Sequence, residues 1–344
     1  MTKRTRIFIG VACGILIIGL GTGLVAAYVG GFQNLVILGS NGPAELAYVP
    51  QDAQMVAYVN VRDVMSSELR QKFRDAHPNA PNAAERHFQE ETGIDFEKDI
   101  DYVVVSAGPK GADGQDRPLL LARGRFDRVR IEGLVEQRGG AAEDYHGTRV
   151  LTQQQSPFSV AFVESDLVAA GAPDSVRRAI DTKAGTIADV KANSDVMRLL
   201  RDVDDGTAWA VARFDAITPR LSGAVPSQLP PINWVAVSGH IDGGVRGTMH
   251  AEARDEASAQ NLQDVIRGMM ALARLQVGQH AELAAFVDSL QLSGQGNSVT
   301  LGFAVPAEMI ETFVARRAAT PGAPSGSAPG APSSPSSAPS TPAF

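Results

Sequence analysis

Apolar residues run almost without interruption from Ile7 to Val29, directly behind Lys3, Arg4 and Arg6. A helix over that stretch, rising about 1.5 Å per residue, covers roughly 34 Å, enough to cross a hydrocarbon core of about 30 Å. The cationic side is the short N-terminal one, so the positive-inside rule places residues 1–6 in the cytoplasm and the body outside. This pattern predicts a stub and transmembrane anchor over 1–31, followed by a linker over 32–47. A cleaved signal peptide is the alternative, but its apolar core is normally about 7–15 residues long, and Val25-Ala26-Ala27 matches a cleavage site only in part. Cys13 has too few apolar residues ahead of it for a lipoprotein cysteine, and both alternatives also export the body.

Beyond the linker the period shortens to that of strands, interrupted by helical stretches, and the order recurs. Ile100-Asp101-Tyr102-Val103-Val104-Val105-Ser106-Ala107-Gly108 matches Ile232-Asn233-Trp234-Val235-Ala236-Val237-Ser238-Gly239-His240. Upstream, Ala57 to Arg62 answers Ala208 to Arg213. Downstream, Arg125-Phe126-Asp127 and Ala253-Arg254-Asp255 each end a strand, with the Asp placed to cap a helix. Phe158–Val163 with Pro173–Ile180 is matched by Val299–Val305 with Pro306–Val314. The reading is an α+β chain with two tandem copies of an antiparallel sheet covered on one face by helices, over 48–190 and 191–317.

Asp242-Gly243-Gly244 as a three-residue hairpin loop, with a left-handed glycine, sets Ile241 against Val245, Gly239 against Gly247, Val237 against Met249 and Val235 against Ala251. That face is apolar throughout. The opposite face carries Trp234, Ser238 and His240 against Glu252, Thr248 and Arg246 and is expected in solvent. A two-residue loop would mix charges with the valines. Leu262, Val265, Ile266, Met269, Leu272 and Gln276 form a helical stripe expected to cover the apolar face, and Met65, Leu69 and Phe73 form a shorter one. From Ala318 the chain is almost wholly Ala, Pro, Ser, Gly and Thr, a composition that cannot offset the entropy of ordering, so 318–344 is expected to be a disordered tail.

Composition narrows the function. Three of the 31 Lys+Arg precede the apolar stretch, leaving 28 against 38 acidic residues in the remainder. An acidic surface without clustered cations argues against nucleic acid and against a polybasic grip on lipid. The single cysteine, Cys13, lies in the anchor, so the body has no disulfide, thiolate metal site or cysteine nucleophile.

Four constellations invite chemistry, and each has a structural alternative. His87-Phe88-Gln89-Glu90-Glu91 approaches the H-x-x-E-H of inverted zinc proteases but lacks the second imidazole. Asp95, Glu97, Asp99 and Asp101 alternate like a calcium loop, yet Ile100 stands where the sharp turn needs glycine; a capped turn feeding a strand is the simpler reading. Ser238, His240, Thr248 and His250 share a hairpin face but lack an orienting carboxylate and an oxyanion pocket. Pro332-Ser333-Ser334-Pro335 fits a PxxP ligand as easily as a spacer. No catalytic, cofactor-binding or metal-ligating residue is assigned, and no cofactor or enzymatic activity is expected.

Pro50-Gln51-Asp52-Ala53-Gln54-Met55-Val56-Ala57-Tyr58 and Thr92-Gly93-Ile94-Asp95-Phe96-Glu97-Lys98-Asp99-Ile100 resemble the P-x-D-A-x-x-x-A-Y opening and T-G-x-D-x-x-K-D-I motif of a bacterial envelope family of unknown function. The resemblance implies one N-terminal membrane helix, an exported body and no attached activity. Pro230-Pro231-Ile232 stands where the second copy would need the acidic motif. The expected protein is a single-pass inner-membrane module with its body in the periplasm or outside the cell, binding or scaffolding another envelope component. A handler of lipid or other hydrophobic ligands is the alternative, and a large apolar cavity would favour it.

Overall fold

The computed structural model describes residues 43–76, 89–111, 114–153, 158–218, 229–277 and 284–310, less a few positions within them. The expected anchor, the expected tail and His87 lie outside the described residues. No described helix is long and apolar enough to cross a membrane.

Among the described residues twelve strands form one antiparallel sheet. In chain order these are β1 (Met55–Asn60), β2 (Ile100–Ala107), β3 (Pro118–Gly124), β4 (Gly140–Tyr145), β5 (Thr148–Gln153), β6 (Ser159–Glu164), β7 (Leu167–Gly171), β8 (Ala208–Arg213), β9 (Ile232–Ile241), β10 (Gly244–Ala253), β11 (Gln291–Gln295) and β12 (Ser298–Pro306). Their spatial order is β11-β12-β10-β9-β8-β1-β2-β3-β7-β6-β5-β4. The helices are α1 (Val61–Ser66), α2 (Glu68–Ala76), α3 (Phe96–Asp99), α4 (Arg128–Gln137), α5 (Pro173–Lys183), α6 (Ser194–Leu200), α7 (Phe214–Ile217), α8 (Glu256–Val277) and α9 (Ala284–Ser289). A short 3-10 strap, Ala44–Tyr48, precedes β1.

Local chemistry sets the helix starts. Asp127 accepts from the Arg130 amide at 3.0 Å and Asp255 from the Ser258 amide at 2.8 Å, so both expected caps are in place. Asn60 and Asn193 cap α1 and α6 in the same way.

The β9–β10 ladder has the expected register, with Val237 opposite Met249 and Ile241 opposite Val245. The turn is closed differently. Neither Gly243 nor Gly244 has a positive φ. The Asp242 carboxylate accepts from the Gly244 amide at 3.3 Å and from Arg246 at 2.7 Å instead. Gly244 is needed for close approach, since a Cβ there would lie 2.6 Å from the Val305 carbonyl.

Helices lie on both faces of the sheet, which corrects the expected one-sided cover. On one face, Val56, Tyr58, Tyr102, Val104, Leu119, Leu121, Trp209 and Val211 pack with α5 and α6 through Val176, Ile180, Val196 and Leu199. On the other, Val59, Val103, Ala122, Ala208 and Val245 pack with Val61 and Val64 of α1 and Leu69 of α2, and with Phe286 of α9. A strand buried on both sides reads as a continuous apolar run rather than an alternating one, as Met55 to Val59 and Ala208 to Ala212 do. The hairpin face expected in solvent is therefore covered on its inner half. Ser238 is buried and Trp234 packs against the core, while His240 is exposed.

Two further expectations change. The linker was expected to reach residue 47, yet Glu45 and Leu46 are fully buried and the strap belongs to the body. The stripe on α8 holds only through its first half: Leu262 is buried and Ile266 packs with Ala253 and Val299, but Leu272 is 56% exposed. Ala273 is buried in its place.

Candidate functional site

A charge cluster built around one fully buried carboxylate joins the strap to β2, β3 and β6, and sequence reasoning missed it. Glu45 sits in the strap with its side chain fully buried. Its Oε1 accepts from the Tyr102 hydroxyl at 2.9 Å and from Arg123 Nε at 2.6 Å. The same guanidinium donates to Glu164 at 2.8 Å and to Asp166 at 2.7 Å. Tyr48, also in the strap, donates to the other oxygen of Glu164 at 2.9 Å, and the Lys183 ammonium lies 4.8 Å above the Tyr48 ring. Three carboxylates thus surround Arg123, and Lys183 lies 3.8 Å from one of them, Glu164.

Taking a carboxylate out of water costs several kcal/mol unless it is paired and hydrogen-bonded. Arg123 supplies that pairing for Glu45, and among the described residues Glu45 Oε2 has no hydrogen-bond partner. Burial pushes Glu164 up, but hydrogen bonds from Arg123 and Tyr48 outweigh it and hold the carboxyl below its ordinary value. The Tyr48 and Tyr102 phenols are raised, chiefly by burial and then by their acidic partners. Near neutrality the two phenols therefore stay protonated and Glu164 stays ionised. The cluster is a clamp, its hydrogen bonds and ion pairs joining the strap to the sheet. Nothing periodic marks Ala44-Glu45-Leu46, and the partners of Glu45 are 57 and 78 residues away, so no local signal could have found it.

The acidic turn is folded as a capped turn. Asp95 accepts from the Glu97 amide at 2.9 Å, and its own amide donates to Asp99 at 2.8 Å. Each carboxylate faces a cation: Asp95 with Lys98, Glu97 with Arg70, Asp99 with Arg125 and Asp101 with Arg62. Among the described residues no group of three or more His, Asp or Glu is placed to hold a metal ion.

Ser238, His240, Thr248 and His250 do share one face, and Ser238 is directly opposite Thr248. Of the two imidazoles, His240 is exposed and His250 is engaged on the neighbouring strand. His250 Nδ1 lies 3.0 Å from Thr300 Oγ1, and burial lowers its pKa against the pull of Asp202. Glu252, beside it, pairs with Arg198 of α6 at 2.9 Å.

A cleft of about 550 Å³ opens between the strap side of β1 and α6, lined by Gln51, Asp52, Arg178, Ile187, Asn193 and Ser194 among others. Arg178 spans the two oxygens of Asp52 at 2.8 and 2.9 Å. It is an open polar groove, not an apolar tunnel.

Fold and clamp together describe a mixed protein of helices on a large antiparallel sheet, with its prominent polar clusters engaged in holding the fold. The chain belongs to the family described as protein of unknown function DUF3352, whose model matches residues 10–242. That match takes in the strap, the clamp and the strands as far as β9. No curated protein matches. Three crystal forms of TP0453 are similar at low identity. Form III has a TM-score of 0.44 at 11% identity, covering 79% of this chain and 97% of that one. Form I gives 0.43 at 11%, with 79% and 96% covered, and form IV gives 0.41 at 9%, with 78% and 95% covered.

Proposed function

We propose that this chain is a membrane-tethered module of the bacterial envelope, single-pass, with its body in the periplasm or outside the cell, that binds or scaffolds another envelope component. The observation that carries the reading is the strap. Segment 44–48 follows the expected span closely and is fastened by Glu45 and Arg123 to the interior of the sheet. A strap joined in this way fixes the point at which the chain enters the body. The polar character of the 550 Å³ cleft favours a surface interactor over the lipid-handling alternative; exposed Leu272 and Leu275 on α8 are the observation on the side of the alternative. No cofactor and no nucleic acid enter the reading.

The proposal includes a duplication. Outward from the β1–β8 ladder the inner strands correspond: β2, β3 and β7 on one side and β9, β10 and β12 on the other, each a hairpin followed by the last strand of its half; β6, β5 and β4 lie beyond on the first side and β11 on the second. By sheet position β12, which runs into Pro306, answers β7 rather than Phe158–Val163, so the downstream sequence match is displaced by one strand. A second offset is also present. Tyr58 faces Val104 whereas Trp209 faces Ser238, two residues beyond the sequence equivalent Ala236.

Protease added to spheroplasts tests the topology: degradation of the body supports it, and full protection overturns it. Crosslinking in intact envelopes with mass spectrometry then tests the binding role. Recovery of lipid adducts without any protein adduct would sink the scaffold reading.

A further inference from the structure

The sheet has two ends, and they differ in chemistry. At one end β4 carries Glu143, which pairs with Arg177 at 2.9 Å, and Asp144, which accepts from the Gly147 amide at 3.0 Å. Charges on an edge strand discourage further pairing. At the other end β11 reads Gln291-Leu292-Ser293-Gly294-Gln295, with no charge and no proline, and all but Leu292 are exposed. An unguarded edge of this kind is a template for another strand.

The hairpin to β12 fixes which groups are available. Its two-residue loop, Gly296-Asn297, makes Gln295 and Ser298 the closing hydrogen-bonded pair. Alternation then turns Gln291, Ser293 and Gln295 inward to β12, and leaves the backbone N–H and C=O of Leu292 and Gly294 directed outward.

We propose that β11 is a self-association edge, pairing antiparallel with β11 of a second copy about a two-fold axis at Ser293. The sequence is self-complementary in that register: Gln291 faces Gln295 of the other copy, Leu292 faces Gly294, and Ser293 faces itself. The two outward-directed residues become the hydrogen-bonded pairs, each exchanging two N–H···O bonds. No like charges meet. Gly294 leaves room for the opposing Leu292. The operation is isologous and closes at two copies, and it keeps both α8 helices on the same face, where Leu272 and Leu275 are 56% and 79% exposed. A five-residue ladder falls short of the roughly 1,000 Å² of a stable interface, so the α8 pair is assigned the remainder. The proposal stands on the edge strand and not on the tether.

The test uses the full chain in detergent with Cys13→Ser, which removes the only native thiol. In a non-hydrogen-bonded pair the Cα atoms are about 4.5 Å apart, within the range a disulfide bridges. Ser293→Cys is expected to give a disulfide dimer under mild oxidation, in at least about fivefold greater yield than Gln295→Cys or Glu143→Cys. Equal yields at the three positions, or no dimer from Ser293→Cys, overturn the proposal. In sedimentation, Ser293→Lys and Ser293→Glu should each be monomeric and a mixture of the two dimeric. A dimer that persists in Ser293→Lys alone also overturns it.

Discussion

The ring of Tyr58 on β1 stacks on Trp209 of β8, directly opposite it in the ladder, with centroids 5.6 Å apart and planes at 19°. The internal sequence match pairs these same two residues. The contact lies where strands β1 to β7 meet strands β8 to β12 in the sheet. Tyr102, on the next strand, adds a third ring 5.6 Å from Tyr58.

Val237 is buried in a small cluster with Ala57 and Ala210, whereas His240 on the same strand is exposed. Val237→Asp should therefore cost several kcal/mol, because an unpaired charge is buried, and His240→Asp about 0.5 kcal/mol or less. Denaturant midpoints decide the order; a larger loss from His240→Asp would reverse the assignment of faces.

Arg123→Met strands Glu45, which is fully buried. Removing one partner of a buried pair costs about 3–5 kcal/mol. Adding Glu45→Gln to Arg123→Met should restore part of that loss, because the buried charge is then gone. If the double variant is no more stable than Arg123→Met alone, Glu45 is not held by charge pairing.

Burial holds His250 below the ordinary imidazole value. The unfolded chain, with a pKa near 6.5, takes up a proton before the folded one does, so this contribution is full above about pH 6.5 and is lost as pH falls below it. Between pH 7.5 and 5.5 the native chain should lose more stability than His250→Gln. Equal losses in urea melts would show that His250 protonates as readily folded as unfolded.

Two glycines should respond with opposite signs. A Cβ at Gly124 would lie 2.0 Å from the Asp99 carbonyl, while nothing lies within 4 Å of one at Gly133 on α4. Gly124→Ala should cost about 1–3 kcal/mol through forced backbone shifts. Gly133→Ala should gain about 0.5–1 kcal/mol as a helix-interior replacement. Thermal midpoints moving the same way in both would contradict the packing around β3.

The β9–β10 register was legible because Asp242-Gly243-Gly244 sits between strands whose apolar residues alternate, and only one loop length keeps them on one side. The capping roles of Asp127 and Asp255 were legible for a similar reason, since a cap and its helix are neighbours in sequence. The junction of β1 with β8 was not. Both strands lack alternation, the mark of burial on two faces, but nothing local says which strands flank them, and the pairing of Tyr58 with Trp209 spans about 150 residues. The clamp was hidden by the same distance, since Glu45 declares nothing until Tyr102 and Arg123 are brought to it. Leu272 shows the converse error: helical spacing assigns it to the stripe, but the sheet beneath α8 does not reach that far.

The β1–β8 ladder also governs how the chain matures. About 150 residues separate Asn60 from Ala208, so at synthesis rates of ~5–20 residues per second β1 waits on the order of ten seconds for its partner. During that interval the Met55 to Val59 segment, uncharged and rich in β-forming side chains, has one open side once β2 has paired with the other. The joining of β1 to β8 is thus the long-range pairing on which completion of the sheet waits, and until then β1 presents an open edge to its surroundings.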